Sequence, residues 1–386
     1  MNGRIETDRG APARSLGVTG VGGIRPLVAR DIPAVAELHA RAFGDGHGPA
    51  SPALRGYLTD IFCRHPWVDA AFPSLVYETA GGTLLGVLGV MRRPMSLAGR
   101  PLHAAVGHDF MVDPRSRSTL AAVGLLRAFL AGPQDLSLAD GNASSRKMWQ
   151  ALGGTTSLLY SFRWTRPLRP GRSALAFLRK RGLPAVLAAA AAPWCSVLDA
   201  LAARIPGTPF HRSAPRASGA ELAGETELAR LSARFGNRAL RPEYDARSLA
   251  WLLEVLGRRR PAGAFRKVVV SDARGEAIGW YLYYARPGGV SEVVQIGAAR
   301  DAIDDVLEHL FFDAGRSGSV AVSGQLDPAF MEALSAAHCV FDNGGFWMLL
   351  QSKHPEVLEA VHRGDALLTR LEGEGWMRLA FSSESI

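Results

Sequence analysis

The order of short strand and helix signals along this chain runs through one series and then through it again, which restricts the fold more than any single motif does. From Ile24 to Phe43 the sequence reads IRPLVARDIPAVAELHARAF. That is a short strand, then Asp31 placed to cap a helix, Pro33 in its first turn, and an apolar stripe at Ile32, Val35, Leu38 and Phe43. A helix around Leu54 to Cys63 follows, then strands Ser74 to Glu78 and Leu84 to Arg93, joined as a hairpin by Ala80-Gly81-Gly82. A strand from His103 to Val112 feeds, through the loop Asp113 to Ser118, a helix with Leu120, Val123, Leu126 and Leu130 on one side. Gln134 to Ala139 is a short strand, Asn142 caps a helix ending at Gly153-Gly154, and Ser157 to Trp164 is the closing strand. The predicted order is β-α-α-β-β-β-α-β-α-β.

From Glu221 the order begins again. Helices are expected at Thr226 to Phe235 and Ala246 to Gly257, then strands at Lys267 to Asp272, Ile278 to Ala285 and Ser291 to Gly297. Helix Asp301 to Ala314, strand Ser319 to Ser323, helix Pro328 to Ala337 and strand Gly345 to Ser352 complete the second series. A chain of 386 residues is long enough for two full cores. With 47% hydrophobic and 21% charged residues, it has the balance of a globular protein. The fold class is therefore read as α/β with mixed sheets in two tandem domains, residues 22–165 and 216–386. Residues 166–215 are a basic and apolar linker, and residues 1–21 a disordered lead-in.

The net charge of +8 suggests an anionic partner, but only Lys147, Lys180, Lys267 and Lys353 are lysines, and no aromatic-plus-basic motif accompanies the arginines. Nucleic acid is not expected as a partner. Cys63, Cys195 and Cys339 lie far apart and are odd in number, which fits a reducing cytoplasm rather than a disulfide framework. The early Arg4, Asp8, Arg9 and Arg14 argue against a secretory signal. In the linker, the run LPAVLAAAAAPWCSV is short and alanine-rich, with Pro193 and Asp199 interrupting. It is read as a buried or interdomain helix pair, with an interfacial membrane element as the lesser alternative.

The stretch Val112-Asp-Pro-Arg115-Ser-Arg117-Ser-Thr-Leu120-Ala-Ala122 leaves a strand and opens a helix. A helix N-terminus offers unpaired N–H groups and the positive end of its dipole to a pyrophosphate, and Arg115, Arg117, Ser116, Ser118 and Thr119 add donors. Val112, Pro114, Arg117 and Ala122 resemble the cofactor loop of the GNAT superfamily, V-x-P followed by R-x-x-G-x-G/A, with Leu120 standing where glycine is usual. Downstream, Asn142-Ala-Ser-Ser145-Arg-Lys-Met148-Trp149-Gln-Ala-Leu152-Gly153-Gly154 is similar to that family's N-x-x-A-x-x-L-Y-x-x-x-G-F.

The resemblance implies that both halves are GNAT-like, each a mixed, mostly antiparallel sheet flanked by helices. It implies an acetyl or other short acyl group moved from acyl-CoA to an amine, on a small-molecule or carrier-bound acceptor, with no metal. The cofactor residues it implies are the main chain of Phe110, Met111 and Val112, then Arg115, Arg117, Ser118, Thr119, Leu120, Ala121 and Ala122, with Asn142 and Trp149. Asn142 would contact the pantetheine arm. Trp149 takes the place of the tyrosine that protonates the leaving thiolate, a task an indole cannot perform.

A base is also needed to hold the amine neutral, and His108 or Asp109, facing opposite ways on the strand before the loop, is expected to supply it. His103 and Glu78 are weaker candidates. The second copy, with Asp301, Asp304 and Asp305 opening the corresponding helix, is expected not to bind CoA. A fold-retaining scaffold without turnover is the alternative from another functional class, and a peripheral membrane-associated acyltransferase acting on a lipid-like acceptor is a third.

Overall fold

The structure, a computed structural model, describes residues 22–43, 50–116, 119–211, 214–258 and 263–381. The first half comprises β1 (Gly23–Pro26), α1 (Ile32–Phe43), α2 (Pro52–Thr59), β2 (Leu75–Glu78), β3 (Leu84–Leu97), β4 (Arg100–Val112), α3 (Thr119–Leu130), β5 (Leu136–Gly141), α4 (Ala143–Ala151), β6 (Thr155–Ser157) and β7 (Arg163–Pro167). Helices α5 (Pro170–Lys180) and α6 (Ala185–Ala202) stand between the halves. The second half comprises β8 (Ser218–Glu221), α7 (Glu225–Phe235), β9 (Leu240–Pro242), α8 (Ala246–Arg258), β10 (Ala264–Ser271), β11 (Ala277–Ala285), β12 (Val290–Ala298), α9 (Ile303–Arg316), β13 (Ala321–Gln325), α10 (Met331–Ala336), β14 (Val340–Asp342), β15 (Trp347–Ser352), α11 (Pro355–His362) and α12 (Gly375–Phe381).

Two mixed sheets result, with the same plan. One runs β1-β2-β3-β4-β5-β15-β6, with β9 added on β3; the other runs β8-β10-β11-β12-β13-β7-β14. Each sheet is antiparallel except for one parallel pair, β4 with β5 and β12 with β13.

Strand alternation decides what each face covers. In the first sheet Tyr77, Leu88, Val90 and Ala105 point to α3 and α4, where they join Leu125, Phe129 and Trp149. The intervening Val76, Val87, Met91 and Val106 point the other way. In the second sheet Tyr281, Tyr283 and Val293 pack under α9, and Trp280, Leu282 and Val294 face away from it. Both inward sets, with α1, α2, α7 and α8, merge into one central core, so the halves share their largest apolar layer.

The sequence predicts a strand from Ser157 to Trp164 that closes the first sheet. Instead the chain turns after Ser157, and Arg163–Pro167 pairs with β13 in the second sheet, at Trp164↔Gly324. The first sheet is completed by β15, which pairs with β5 at Trp347↔Gly141 and with β6 at Met348↔Ser157. Each half thus lends the other its last strand. A β-strand carries no local mark of its partner, so this exchange is set by long-range packing rather than by propensity.

The helix pair expected in the linker is present, but α6 is not a buried helix. Of its residues only Ala188 and Asp199 are buried.

Candidate active site

The site forms where β4 and β5 separate. They pair in parallel from Ala104↔Leu136 to Gly107↔Ala139 and then diverge, leaving the β5-facing edge of His108 to Val112 without a ladder partner among the described residues. At the same level β4 carries one residue more than β3, since Val87 pairs with Met111 but Gly89 with His108. This bulge is accompanied by Asp109 at φ 46°, in the left-handed region that aspartate tolerates better than most side chains. The expected main-chain group Phe110, Met111 and Val112 follows directly.

The bulge overturns the expectation that His108 and Asp109 face opposite ways. His108 Nδ1 donates to Asp109 Oδ2 at 2.9 Å, so both side chains turn to the side of α1 and α2. Tyr57 Oη donates to the same oxygen at 3.3 Å, and His39 Nε2 lies 3.8 Å from Oδ1. Burial works against ionisation of Asp109, but the hydrogen bond and charge of His108, with His39 and Tyr57, outweigh it and hold the carboxyl below the usual range.

His108 is wholly enclosed, its ring centroid 5.1 Å from that of Phe62, and its Nε2 has no hydrogen-bond partner among the described residues. Its ring lies across Gly89, where a Cβ would come 2.2 Å from Cε1, so only glycine leaves room for it. His65 is buried nearby, and burial together with His108 and Arg93 pushes it down to about 3.

Sequence reasoning missed the groups that complete the site. Asp140, at the end of β5, has its carboxyl raised by burial against the opposing charges of Arg378 and Arg370. Glu374, just before α12, is raised to about 7 by burial and by the carboxylates of Asp140 and Asp109, with its partner Arg378 opposing. The C-terminal elements therefore bring a third carboxyl and two arginines to the strands of the first half. The one local signal was the run LEGEGWMRLA, in which glutamates sit among apolar residues.

The remaining expected residues divide. Arg115 is exposed in the loop after β4, which is tied by Arg115 N–H to Asp113 Oδ1 at 2.8 Å and by Ser116 Oγ to the Asp113 carbonyl at 2.9 Å. Arg117, Ser118 and the side chain of Thr119 lie outside the described residues. Leu120 is exposed on the first turn of α3, whereas the Ala121 methyl is buried in the core, so Ala121 can contribute only main chain.

Asn142 is a helix cap: its Oδ1 accepts from Ser144 N and Ser145 N at 3.0 Å each. Trp149 is a core residue, 1% exposed, with Nε1 donating to the Leu350 carbonyl at 2.9 Å. Its implied place beside the cofactor is thus corrected, because a buried indole must satisfy its N–H and here does so on β15. Glu78 is paired with Arg25, and His103 meets Arg92, so both belong to surface pairs. Among the described residues no group of His, Cys, Asp and Glu could hold a metal ion.

No protein-family model matches the sequence, and no curated protein matches it. Solved structures do. A protein of unknown function from Enterococcus faecalis V583, described as a probable N-acyltransferase, superposes with a TM-score of 0.55 at 9% identity, covering 86% of this chain and 72% of that one. A GCN5-related N-acetyltransferase from Anabaena variabilis gives 0.54 at 11%, covering 85% and 72%. The N-myristoyltransferase of Saccharomyces cerevisiae with bound myristoyl-CoA gives 0.52 at 10%, covering 89% and 81%. The chain has the fold of the GNAT superfamily, shared by GCN5-related N-acetyltransferases and N-myristoyltransferases.

Proposed function

We propose that the protein is an N-acyltransferase that takes an acyl group from acyl-CoA and passes it to an amine. The observation that carries this reading is the parting of β4 and β5 beside the Asp109 bulge. Parted strands leave a slot with free main-chain groups, which suits an extended pantetheine arm and a thioester carbonyl. Main-chain N–H groups of Phe110 to Val112 would hold that carbonyl, and the loop with Arg115 and the start of α3 would hold the pyrophosphate. The fold shared with acyltransferases supports the same assignment.

Glu374 is the proposed base. A carboxyl raised to about 7 is half ionised at neutral pH and still basic enough to take a proton, whereas Asp109, held low, stays a spectator anion. The ammonium first gives one proton to Glu374, which passes it to solvent; the neutral amine nitrogen then bonds to the acyl carbon, Glu374 accepts the second proton, the C–S bond breaks, and the departing thiolate is protonated by water. Three carboxyls around the slot, Asp109, Asp140 and Glu374, favour an acceptor that arrives as an ammonium ion.

Calorimetric titration of acetyl-CoA and of a longer acyl-CoA into the wild type and Glu374→Gln tests the reading, paired with thioester turnover over an amine panel. One saturable site per chain in both proteins, with turnover only in the wild type, is the expected result. Absence of binding by every acyl-CoA would sink it in favour of a scaffold that keeps the fold alone.

A further inference from the structure

The hairpin α5–α6 presents its side chains the wrong way round for a helix in water. The face of α6 that meets α5 is made of small and polar residues, Ala188, Ala192, Ser196 and Asp199. The outward face carries the large apolar ones, Leu187, Trp194, Val197, Leu198 and Leu201, with Phe177 of α5 beside them, and Trp194 is 74% exposed. A surface helix of a soluble body normally does the reverse.

The inner face is fixed by specific bonds: Asp199 accepts from Gly171 N at 2.6 Å and Arg172 N at 3.2 Å, capping α5, and Arg172 Nη2 donates to Ser196 Oγ at 2.9 Å. A Cβ on Gly171 would lie 2.8 Å from the Cys195 carbonyl, so the helices cross in close contact and cannot roll to hide the apolar face.

Charge separates along the chain in the same place. Residues 166–216 hold nine of the 44 lysines and arginines but one of the 36 acids, Asp199, which is buried in the cap. The rest of the chain, with 35 of each sign, is formally neutral, so the whole net charge of +8 belongs to this segment. Arg179, Arg181 and Arg204 are exposed on the hairpin, with the Arg181 guanidinium 4.4 Å from the Phe177 ring centroid. An apolar face with a tryptophan, bordered by uncompensated arginines, matches the boundary between acyl chains and anionic headgroups.

We infer that α5–α6 docks the protein on an anionic lipid bilayer, with the outer face of α6 lying in the plane of the headgroups. Among the described residues α6 is the one helix long and apolar enough to cross a membrane, but topology rules out a single crossing. Strand β7 before the hairpin and β8 after it belong to one sheet, so both ends of the hairpin return to the same side. This inference does not depend on the proposed acyl transfer.

The test is co-sedimentation of the full chain with vesicles of phosphatidylcholine alone and of an equimolar mixture with phosphatidylglycerol. The wild type is expected in the pellet with the mixed vesicles, and high salt should release it. Trp194→Glu with Leu198→Glu, both on exposed positions, should weaken partition at least about tenfold, and Arg179→Glu with Arg181→Glu should do likewise. Wild type left in the supernatant with mixed vesicles would overturn the inference, as would sedimentation unchanged by the Trp194 and Leu198 changes. A wild-type dimer in solution that the same double change converts to monomer, with no vesicle binding, would overturn it in favour of a second copy of the chain.

Discussion

The two halves make the same fork and use it differently. In the second half β12 and β13 pair from Val290↔Ala321 to Glu292↔Ser323 and then part, and β12 has an extra residue at Val294, much as β4 has one by Asp109. There the slot is closed. Trp164, Phe330 and Leu334 line a remnant of about 20 Å³, and Trp164 Nε1 donates to the Gln325 carbonyl at 3.1 Å. Gly324 is where that indole lies, 2.6 Å from a hypothetical Cβ. The Val294 bulge has ordinary backbone and an apolar side chain. A forked sheet is thus a scaffold feature of both halves, and what sets the first apart is the interacting carboxyls of Asp109, Asp140 and Glu374. The expectation that the second half binds no CoA gains a steric reason beside its acidic helix start.

The sharpest way to break the comparison is to remove what only the first fork has. Glu374→Gln should lower kcat by about 10²- to 10⁴-fold with acyl-CoA affinity kept, and the rise in wild-type rate through about pH 7 should vanish. Stability carries the same signature: a carboxyl raised from 4.5 to about 7 on folding stabilises below 4.5 and loses that contribution as pH climbs through 7. Denaturant unfolding against pH should therefore show a decline over that window that is shallower in Glu374→Gln.

Next comes an attempt to open the second fork. Trp164→Ala should cost about 3–5 kcal/mol by thermal unfolding, and the binding stoichiometry should stay at one acyl-CoA per chain; two per chain would show that the indole alone separates the halves. The mildest change is Gly89→Ala, which displaces the His108 ring from Asp109. A cost of about 1–3 kcal/mol and reduced turnover with unchanged acyl-CoA binding are expected.

Local physics made much of this legible. The apolar strands β3 and β4, the Asn142 cap and the strand and helix on either side of Asp113 all follow from short-range chemistry, and the structure reproduces them. Asp109 and His108 were visible as polar groups on an otherwise apolar strand. Their orientation was not, because a bulge shifts every later side chain by one position and leaves no compositional trace. Glu374 and Asp140 come together only through the C-terminal fold, and their proton affinities arise from mutual burial, which spacing along a chain does not encode. Trp149 misled because a motif position fixes where a residue sits on its helix but not what encloses it.

The exchanged strands have a consequence for synthesis. When β6 leaves the ribosome, its strand partner among the described residues, β15, begins roughly 190 residues downstream. At about 5–20 residues per second, that interval lasts roughly ten to forty seconds. Throughout it the growing polypeptide holds β5 as an unprotected border, open to pairing with any extended neighbour. The nascent first half is therefore a waiting intermediate, and a ribosome stalled between residues 167 and 347 should display it as the species most eagerly captured by chaperones.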